Sequence, residues 1–212
     1  MLVLNNIDII CADCRNPEKA IIAIENSCKR IIYKNMILFT DADIHHDWIQ
    51  IVKIDKIASI PDYNKFMINE LPKLVSNDFT LVVQADGFVT NYKYWDDDFL
   101  NYDYIGAPWG LAGCRVWKKK CRIGNGGFSL RSRNLMNRLK SVKDFDNNCP
   151  EDSFISDFIV DNNLSIPPTE LAAKFSLECP LEDFPFDLTK TFGFHGTMIY
   201  DKISTIYPDI KL

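Results

Sequence analysis

Residues 79–83 have the sequence FTLVV, the most apolar strand-like run of the chain, and the polar stretch Gln84-Ala85-Asp86-Gly87 follows directly. A continuous apolar run that ends in polar residues is typical of a strand buried on both faces of a parallel sheet. Residues 7–12 (IDIICA) and 36–40 (MILFT) have the same character, and residues 49–54 (IQIVKI) predict a shorter strand. The first half of the chain therefore carries the strands of an α/β fold.

Helical segments alternate with these strands. Pro17 suits the first position of a helix that Asn16 would cap, and apolar residues recur behind it at helical spacing. A second helix is predicted from Asp62, and Pro72 should kink or end it. This alternation predicts a mostly parallel central sheet with right-handed crossovers and flanking helices.

The second half of the chain is less regular. It contains a strand-like segment at residues 102–106, a glycine-rich stretch at 124–129 and a helix expected from about Ser132. Another helix is predicted to open at residues 150–152 (PED). Five prolines fall between residues 166 and 212, so this part is expected to be mostly loop and short strand. We find no repeat or linker and predict one domain over residues 1–212.

The composition limits the classes of function. The chain has 24 Lys and Arg against 29 Asp and Glu, a formal net charge of −5. Sequence-independent binding to nucleic acids or anionic membranes needs clustered positive charge, which this balance argues against. No run approaches the roughly 20 apolar residues that span a bilayer, and the N-terminal segment has no basic leader. We therefore expect a cytoplasmic protein without a transmembrane segment or a nucleic-acid partner.

Seven cysteines suggest free thiols in a reducing compartment, because the number is odd. Cys11 and Cys14 form a C-x-x-C pair, and together with Cys114 and Cys121 they allow a redox or zinc hypothesis. A thioredoxin-type pair should open a helix, whereas Cys11 lies inside a predicted strand. Buried free cysteines are the favoured interpretation.

Ligands of parallel sheets bind at the carboxyl ends of the strands, so the polar residues there are candidates for a site. The first strand delivers Asp13 and Arg15, the second delivers the triplet 41–43 (DAD), and FTLVV delivers the triplet 84–86 (QAD). Two carboxylates in such a triplet can present oxygens to a divalent cation that holds a diphosphate. Spelling favours Asp41 and Asp43, whereas position in the sheet favours Asp86. Solvated turn residues would have the same pattern.

Three segments of the second half carry further candidates. The glycines of residues 124–129 (GNGGFS) suit either a polar platform for a sugar ring or a bulge before a helix. Glu151 and Asp152 either stabilise a helix N-terminus or supply a general base. His195, in the sequence FGFHG, is either a core residue or a ligand for a metal or phosphate.

The basic loop at residues 110–122 and the nearby Trp109 each allow a functional and a structural interpretation. The loop at residues 110–122 contains Trp117 and Lys118 to Lys120, and it could close over a diphosphate or be solvated. Trp109 could present an apolar face to a sugar ring or pack in the core.

Seven segments then occur in order along the chain: 63–66 (YNKF), 82–88 (VVQADGF), 95–100 (WDDDFL), 102–109 (YDYIGAPW), 124–133 (GNGGFSLRSR), 150–152 (PED) and 192–196 (FGFHG). Together they resemble a poorly characterised family of short bacterial and viral proteins that are regarded as glycosyltransferases with the GT-A fold. The resemblance runs from about residue 7 to residue 196.

The resemblance implies a single Rossmann-like GT-A domain, with a nucleotide-binding half at about 1–109 and an acceptor and catalytic half at about 110–212. A sugar, such as a hexose, would pass from a nucleotide-sugar, with UDP-sugars preferred, to a glycan or other hydroxyl acceptor. The cofactor would be Mn²⁺ or Mg²⁺. Such an enzyme would serve polysaccharide biosynthesis in the cytosol of a bacterium or of a viral host.

The resemblance also implies roles for individual residues. Asp86 and His195 would ligate the metal, and Asp152, beside Glu151, would be the base of an inverting transfer. The nucleotide-sugar contacts would be Asp13, Arg15, Gln84, Ala85, Asp86, Gly126 and Gly127, and the acceptor contacts would be Trp109, Phe128 and Ser129. Gln84 replaces the first acid of the usual triplet, which leaves a non-catalytic nucleotide-sugar or glycan-binding module as the alternative.

Overall fold

A six-stranded sheet forms the centre of the protein, whose structure is a computed structural model describing residues 1–116 and 119–211. Trp117 and Lys118 lie outside the described residues. The strands of the sheet are β1 (Leu2–Ala12), β2 (Ile31–Thr40), β3 (Gln50–Lys53), β4 (Phe79–Val82), β5 (Tyr104–Gly106) and β6 (Ser129–Ser132). Their order across the sheet is β3-β2-β1-β4-β6-β5.

The sheet is mostly parallel, as the sequence predicted. β1 pairs in parallel with β2 and β4, and β2 pairs in parallel with β3. β6 lies antiparallel between β4 and β5, so the other five strands run in one direction. Because β6 comes from the second half of the chain, one sheet joins both predicted halves. The α/β fold class, with a mostly parallel sheet flanked by helices, is confirmed.

Eight α-helices are described along the chain: α1 (Pro17–Cys28), α2 (Ile60–Lys65), α3 (Leu71–Leu74), α4 (Leu111–Val116), α5 (Arg133–Leu139), α6 (Glu151–Asp161), α7 (Thr169–Phe175) and α8 (Tyr200–Ile206). Within the described ranges, no helix has the length and apolar character needed to cross a membrane.

Several predicted helix ends are confirmed and others are corrected. Pro17 opens α1 as expected, but the Asn16 side chain makes no capping hydrogen bond. Instead, Asp13 Oδ1 accepts from the backbone N–H groups of Arg15 and Asn16 at 2.7 and 2.8 Å. The Ser132 side chain caps α5 by accepting from the backbone N–H of Leu135. The Asp13 carboxylate therefore fixes the turn before α1, in place of the expected Asn16 cap.

The second helix begins at Ile60, two residues before the predicted start, because the Ser59 side chain caps it there. Residues Phe66–Glu70 then form a π-helical turn that leads into α3. Pro72 lies in α3, where its ring cannot donate a hydrogen bond and would crowd the preceding turn of an α-helix. A widened turn just before a proline accommodates that ring, so the expected kink takes the form of a π-bulge.

The segment after residue 166 is more helical than predicted. It contains α7 and α8 beside the expected short strands β7 (Ser176–Leu177) and β8 (Gly193–Phe194). Pro168 precedes the first residue of α7, so a proline that was counted as a helix breaker marks a helix start. β7 and β8 pair in parallel as a separate two-stranded sheet.

Candidate functional site

The QADG stretch forms a tight turn at the carboxyl end of β4. The backbone N–H of Gln84 donates to the Gly87 carbonyl at 2.8 Å, and the N–H of Gly87 donates back to the Gln84 carbonyl at 3.0 Å. Ala85 and Asp86 therefore occupy the tip of the turn. Gln84 is held from the other side, because its Nε2 donates to the Tyr63 hydroxyl at 2.7 Å and leaves Oε1 facing His195.

The small β7–β8 sheet brings Glu178 and His195 together. Ser176 pairs with Gly193 and Leu177 pairs with Phe194, so the next residue of each strand, Glu178 or His195, leaves the sheet at the same end. The backbone N–H of His195 donates to the Leu177 carbonyl at 3.1 Å, which continues this register by one bond. Two side chains that are 17 residues apart thus become neighbours.

His195 is the centre of a cluster of polar side chains. Its Nε2 lies 3.0 Å from Gln84 Oε1 and 3.6 Å from Asp86 Oδ1. Its Nδ1 lies 3.1 Å from Glu178 Oε1 and 2.9 Å from Asn125 Nδ2. Asp86 and His195, the two predicted metal ligands, therefore lie side by side.

Glycines make this arrangement of the imidazole possible. A Cβ atom on Gly127 would lie 2.0 Å from His195 Nε2 and 2.6 Å from Gln84 Oε1, and one on Gly87 would lie 2.6 Å from His195 Cδ2. Real Cβ contacts are longer than these, so the ring sits between two backbone segments that only glycine allows. Gly127, a predicted nucleotide-sugar contact, thus lies against the His195 ring.

The charges around His195 favour its protonated ring. Burial alone would lower the pKa of His195, but the hydrogen bond to Glu178 and the charges of Asp86, Glu178 and Asp152 outweigh it, so the pKa is raised. The carboxylates of Asp86, Glu178 and Asp152 therefore act on the His195 ring in the same direction.

One cavity of about 500 Å³ opens on the sheet side of this cluster. It lies at the carboxyl ends of β1 and β4, where ligands of parallel sheets bind. Its walls include the predicted nucleotide-sugar contacts Asp13, Arg15, Gln84, Ala85 and Asp86. Sequence reasoning thus identified five residues that the structure brings to a single cavity.

A second cavity of about 700 Å³ lies beside Glu178 and Asn125, the two neighbours of His195 Nδ1. Asp152, Glu178, Asn125, Trp109 and Lys119 line it. Gln84 and Asp86, beside Nε2 of His195, line the first cavity, and Glu178 and Asn125, beside Nδ1, line the second, so the ring contacts wall residues of both cavities.

Asp152 is placed as a carboxylate with raised basicity. It begins α6 as the second residue, and its Oδ1 accepts from the backbone N–H of Ser153 at 2.6 Å. Burial raises the pKa of Asp152, and the charge of Glu178 adds to the shift against the opposing effects of that hydrogen bond, Lys119 and His195. A raised pKa makes a carboxylate a better proton acceptor once it is ionised.

Glu151 has a different environment from its neighbour. It is buried and forms an ion pair with the fully buried Arg131, whose Nη2 lies 3.1 Å from Glu151 Oε1. Arg131 Nη2 also donates to the Gly126 carbonyl at 3.4 Å, and Arg131 Nε donates to Ser129 Oγ at 3.1 Å. Glu151 lines neither cavity, so the Arg131–Glu151 pair supports the glycine-rich loop through its contact with the Gly126 carbonyl.

Two predicted acceptor contacts are corrected by the packing. Phe128 and Ser129 are fully buried, and Phe128 stacks on Phe175 with ring centroids 4.9 Å apart. Ser129 belongs to β6, and its hydroxyl donates to the Gly126 carbonyl at 2.9 Å. Of the three predicted acceptor contacts, Trp109 lines the larger cavity and the other two are core residues.

The basic loop contributes one cation to the larger cavity. Lys119 lines it, with Nζ 5.6 Å from the centroid of a Trp109 ring and 4.0 Å from Asp157 Oδ2. Lys120 instead forms an ion pair with Asp161 at the end of α6. Lys120 is therefore directed away from the cavity, and Lys118 lies outside the described residues.

The alternative acid triplet lies elsewhere on the sheet. Asp43 is exposed, 3.8 Å from the ammonium group of Lys53 on β3, and the Asp41 carbonyl accepts from the same lysine. Neither Asp41 nor Asp43 lines either cavity beside His195. The triplet that belongs to the His195 cluster is 84–86, which its position in the sheet favoured, and not 41–43, which has the literal acid-x-acid sequence.

All seven cysteines are free. Burial raises the pKa of the Cys11, Cys14 and Cys114 thiols, and Cys11 is a buried residue of β1. The thiolate is the form that redox and zinc chemistry require, so these surroundings favour the structural interpretation of the cysteines.

The cluster offers three donor atoms to a divalent cation. The described residues contain no group of three or more His, Cys, Asp and Glu side chains placed to hold a metal ion. The Gln84 amide oxygen and Asp86 Oδ1 nevertheless lie 3.0 and 3.6 Å from His195 Nε2. Neighbouring ligands of an octahedral ion at about 2.1 Å are about 3 Å apart, so this set fits Mn²⁺ or Mg²⁺ with Gln84 in place of an acid.

Sequence reasoning missed two members of the cluster. Asn125 was quoted within the glycine-rich stretch without a role, and Glu178 was not singled out. Neither has a signal in the local sequence, because Asn125 lies in a loop and Glu178 follows a strand of only two residues.

The chain belongs to a family described as proteins of unknown function (DUF5672), whose model matches residues 48–195. No curated protein matches the chain. Among solved structures, the mannosyltransferase PcManGT from Pyrobaculum calidifontis, in complex with GDP-Man and Mn²⁺, has 10% identity and a TM-score of 0.49 over 87% of this chain and 59% of that one. The apo-form glycosyltransferase GlyE of Streptococcus pneumoniae has 14% identity and a TM-score of 0.42 over 89% and 53%. This chain thus spans little more than half the length of either.

Proposed function

We propose that this protein is a glycosyltransferase that moves a sugar from a nucleotide-sugar to a hydroxyl acceptor. The observation that carries the proposal is the meeting of two cavities at one polar cluster, with Asp86 on one side of His195 and Asp152 on the other. Transfer between two substrates needs both held against one reacting centre, which this layout allows.

The cavity at the ends of β1 and β4, called here the donor cavity, would hold the nucleoside diphosphate. Arg15 supplies a cation at its exposed wall, and Asp13 and Asp86 supply carboxylates. Within the described part of the chain, the backbone N–H groups that donate to Asp13 use its Oδ1, so Oδ2 can accept from a ribose or base N–H or O–H group. Asp86 faces the position where the diphosphate would meet His195.

Gln84, Asp86 and His195 would hold a divalent cation beside the diphosphate. When bound, such an ion supplies positive charge that stabilises the leaving group. Other residues would hold these ligands in place: Tyr63 orients Gln84, and Gly87 and Gly127 leave room for the His195 ring.

The second cavity, called here the acceptor cavity, would hold the hydroxyl that attacks the sugar. Asp152 accepts the proton of that hydroxyl while the hydroxyl oxygen bonds to the anomeric carbon. The bond between that carbon and the diphosphate oxygen breaks, and the diphosphate leaves with the electron pair. Attack from the side opposite the leaving group would invert the anomeric carbon. Trp109 offers an apolar surface for the acceptor ring.

The proposal gives a structural role, without substrate contact, to Glu151, Gly126 and Gly127. Glu151 and Arg131 hold the loop that places Gly127 against His195, and a Cβ on Gly126 would lie 2.3 Å from Glu151 Oε1. Only Asp152 of the predicted acidic pair reaches a cavity.

The proposal is tested by measuring nucleotide release from UDP-, GDP-, dTDP- and CMP-sugars with Mn²⁺ and a panel of simple glycosides. We expect the wild type to release nucleotide from one donor class, faster when an acceptor is present, and Asp86→Asn to lose that release. Donor binding without any release would overturn catalysis and support a nucleotide-sugar-binding module, the function that Gln84 in place of an acid would suit.

A further inference from the structure

We propose that Glu178 is a positioning residue that keeps a hydrogen on Nδ1 of His195, so that Nε2 is the ring atom presented to Gln84 and Asp86. The assignment of the hydrogen stands on geometry. Its use in sugar transfer rests on the proposed function.

The backbone fixes the pair of side chains before their chemistry is considered. The β7–β8 register brings Glu178 and His195 out of the sheet together, and the Leu177 carbonyl binds the N–H of His195. Gly87 and Gly127 enclose the ring from two directions, so it cannot turn freely. An imidazole held in this way can change only the positions of its hydrogens.

The neighbours of the ring make opposite demands on those hydrogens. Glu178 Oε1, 3.1 Å from Nδ1, requires a hydrogen on that nitrogen. Asn125 Nδ2, 2.9 Å from the same Nδ1, is a donor and suits a bare nitrogen. Gln84 Oε1, 3.0 Å from Nε2, would accept a hydrogen there. With Glu178 removed, the remaining contacts favour the Nε2–H tautomer.

Glu178 decides between the two tautomers because it is the charged neighbour within hydrogen-bond distance. A hydrogen bond to an ionised carboxylate is roughly twice as strong as one between neutral groups. Asp86, the other carboxylate beside the ring, is 3.6 Å away from Nε2, beyond that distance. In the proposal this charged bond outweighs the Asn125 and Gln84 contacts and keeps the hydrogen on Nδ1 when the ring is neutral.

The consequence is a ring whose second nitrogen is available to a ligand. A carboxylate that binds the far N–H of a metal-binding histidine fixes its tautomer and orientation and raises its basicity. Glu178 has that relation to His195, while Gln84 and Asp86 lie on the Nε2 side. Because Glu178 also lines the acceptor cavity, it is the second carboxylate there and must be distinguished experimentally from a base.

The test is nitrogen-15 NMR of the histidine rings at a pH above the His195 pKa, on wild type, Glu178→Gln and Glu170→Gln. The chain has three histidines, so His45 and His46 serve as internal references. Glu170 makes the matched control because it is an exposed glutamate on α7 away from the ring. We expect Nδ1–H in wild type and in Glu170→Gln, and Nε2–H in Glu178→Gln.

Manganese affinity measured by calorimetry, without donor, gives a second result. We expect Glu178→Gln to bind Mn²⁺ about 10–100-fold more weakly than wild type, and Glu170→Gln to be unchanged. If wild type binds no Mn²⁺, the metal part of the proposed function fails while the NMR result still decides the tautomer.

Three outcomes would overturn the inference. One is Nε2–H in the wild type, which needs no variant and so decides the matter even if Glu178→Gln does not fold. Another is an unchanged tautomer in a folded Glu178→Gln protein. A third is loss of transfer in that variant with both tautomer and Mn²⁺ affinity unchanged, which would identify Glu178 as a base.

Discussion

The donor cavity and the acceptor cavity share the His195 cluster but are built differently. The donor cavity lies at the ends of β1 and β4, and its Gln84–Gly87 turn is fixed by reciprocal backbone hydrogen bonds. The acceptor cavity is built mainly from loops and the start of α6, and its polar side chains include two carboxylates, a lysine, an amide and the Ser153 hydroxyl. The sheet therefore positions the donor side through the backbone, whereas the acceptor side depends on side-chain charge.

The largest expected effect comes from removing the base on the acceptor side. Asp152→Asn should reduce transfer about 10²–10⁴-fold, because the variant cannot accept the acceptor proton. Donor binding should persist, since Asp152 does not line the donor cavity. Steady-state transfer rates with the best donor measure the effect. Asp161→Asn, an exposed change on the same helix, is the control and should retain the wild-type rate. Equal rates for Asp152→Asn and wild type would remove Asp152 from the base role.

The support beneath the acceptor side should be costly to break. Arg131→Met leaves the buried Glu151 without its ion-pair partner, and removing one member of such a pair typically costs about 3–5 kcal/mol of unfolding free energy. Chemical denaturation measures this loss. The double variant Arg131→Met/Glu151→Leu removes both charges and should recover most of the stability. A double variant as unstable as the single one would show that the pair matters for reasons other than charge.

The ring between the cavities should tolerate little extra volume. Gly127→Ala places a Cβ 2.0 Å from His195 Nε2, so we expect a loss of about 1–3 kcal/mol and displacement of the ring. Thermal unfolding and the histidine NMR signals report the two effects. Gly110→Ala is the comparison, because the nearest atoms to its Cβ would be the Glu182 carboxylate oxygens, at 3.2 Å. Equal stability of the two variants would contradict the close packing around His195.

The smallest effect is the pH dependence of stability. Burial, against the opposing charge of Arg131, raises the pKa of Glu151 from 4.5 to about 7. The folded protein then holds a proton that the unfolded chain has released, so stability falls as pH rises through this interval. The raised pKa of His195 has the same sign, because its stabilising contribution is lost as pH rises through the folded-state pKa.

Melting temperatures across this pH interval should therefore decline in the wild type and decline less in Glu151→Gln. Glu170→Gln serves as the control and should keep the wild-type slope. A rising melting temperature, or the same slope in Glu151→Gln, would contradict a raised Glu151 pKa.

The regular half of the chain was predictable because burial on both faces leaves a continuous apolar pattern. FTLVV and IDIICA became β4 and β1, and the turn after FTLVV supplied Asp86. The packing of Phe128 was not predictable, since it follows from β6 inserting antiparallel between β4 and β5. Local sequence contains no information on that insertion.

The pairing of Glu178 with His195 was also beyond the sequence pattern. β7 and β8 have two residues each, too few to show a period, and they pair across an intervening loop. Arg131 was missed for a related reason, because a charged residue in a four-residue strand gives no sign of being fully buried. Chemistry on short elements is fixed by tertiary pairing, which a single sequence does not display.

The central claim, that donor and acceptor occupy separate cavities on the two sides of His195, is tested most directly by donor-induced thermal shifts. The measurement compares wild type, Asp86→Asn and Asp152→Asn with the same donor panel and Mn²⁺. A donor at about 100 times its Kd adds about 2.7 kcal/mol, which raises Tm by several degrees for a domain of this size. The account predicts that Asp86→Asn loses the shift and that Asp152→Asn keeps it. Loss of the shift in both variants, or in Asp152→Asn alone, would contradict it.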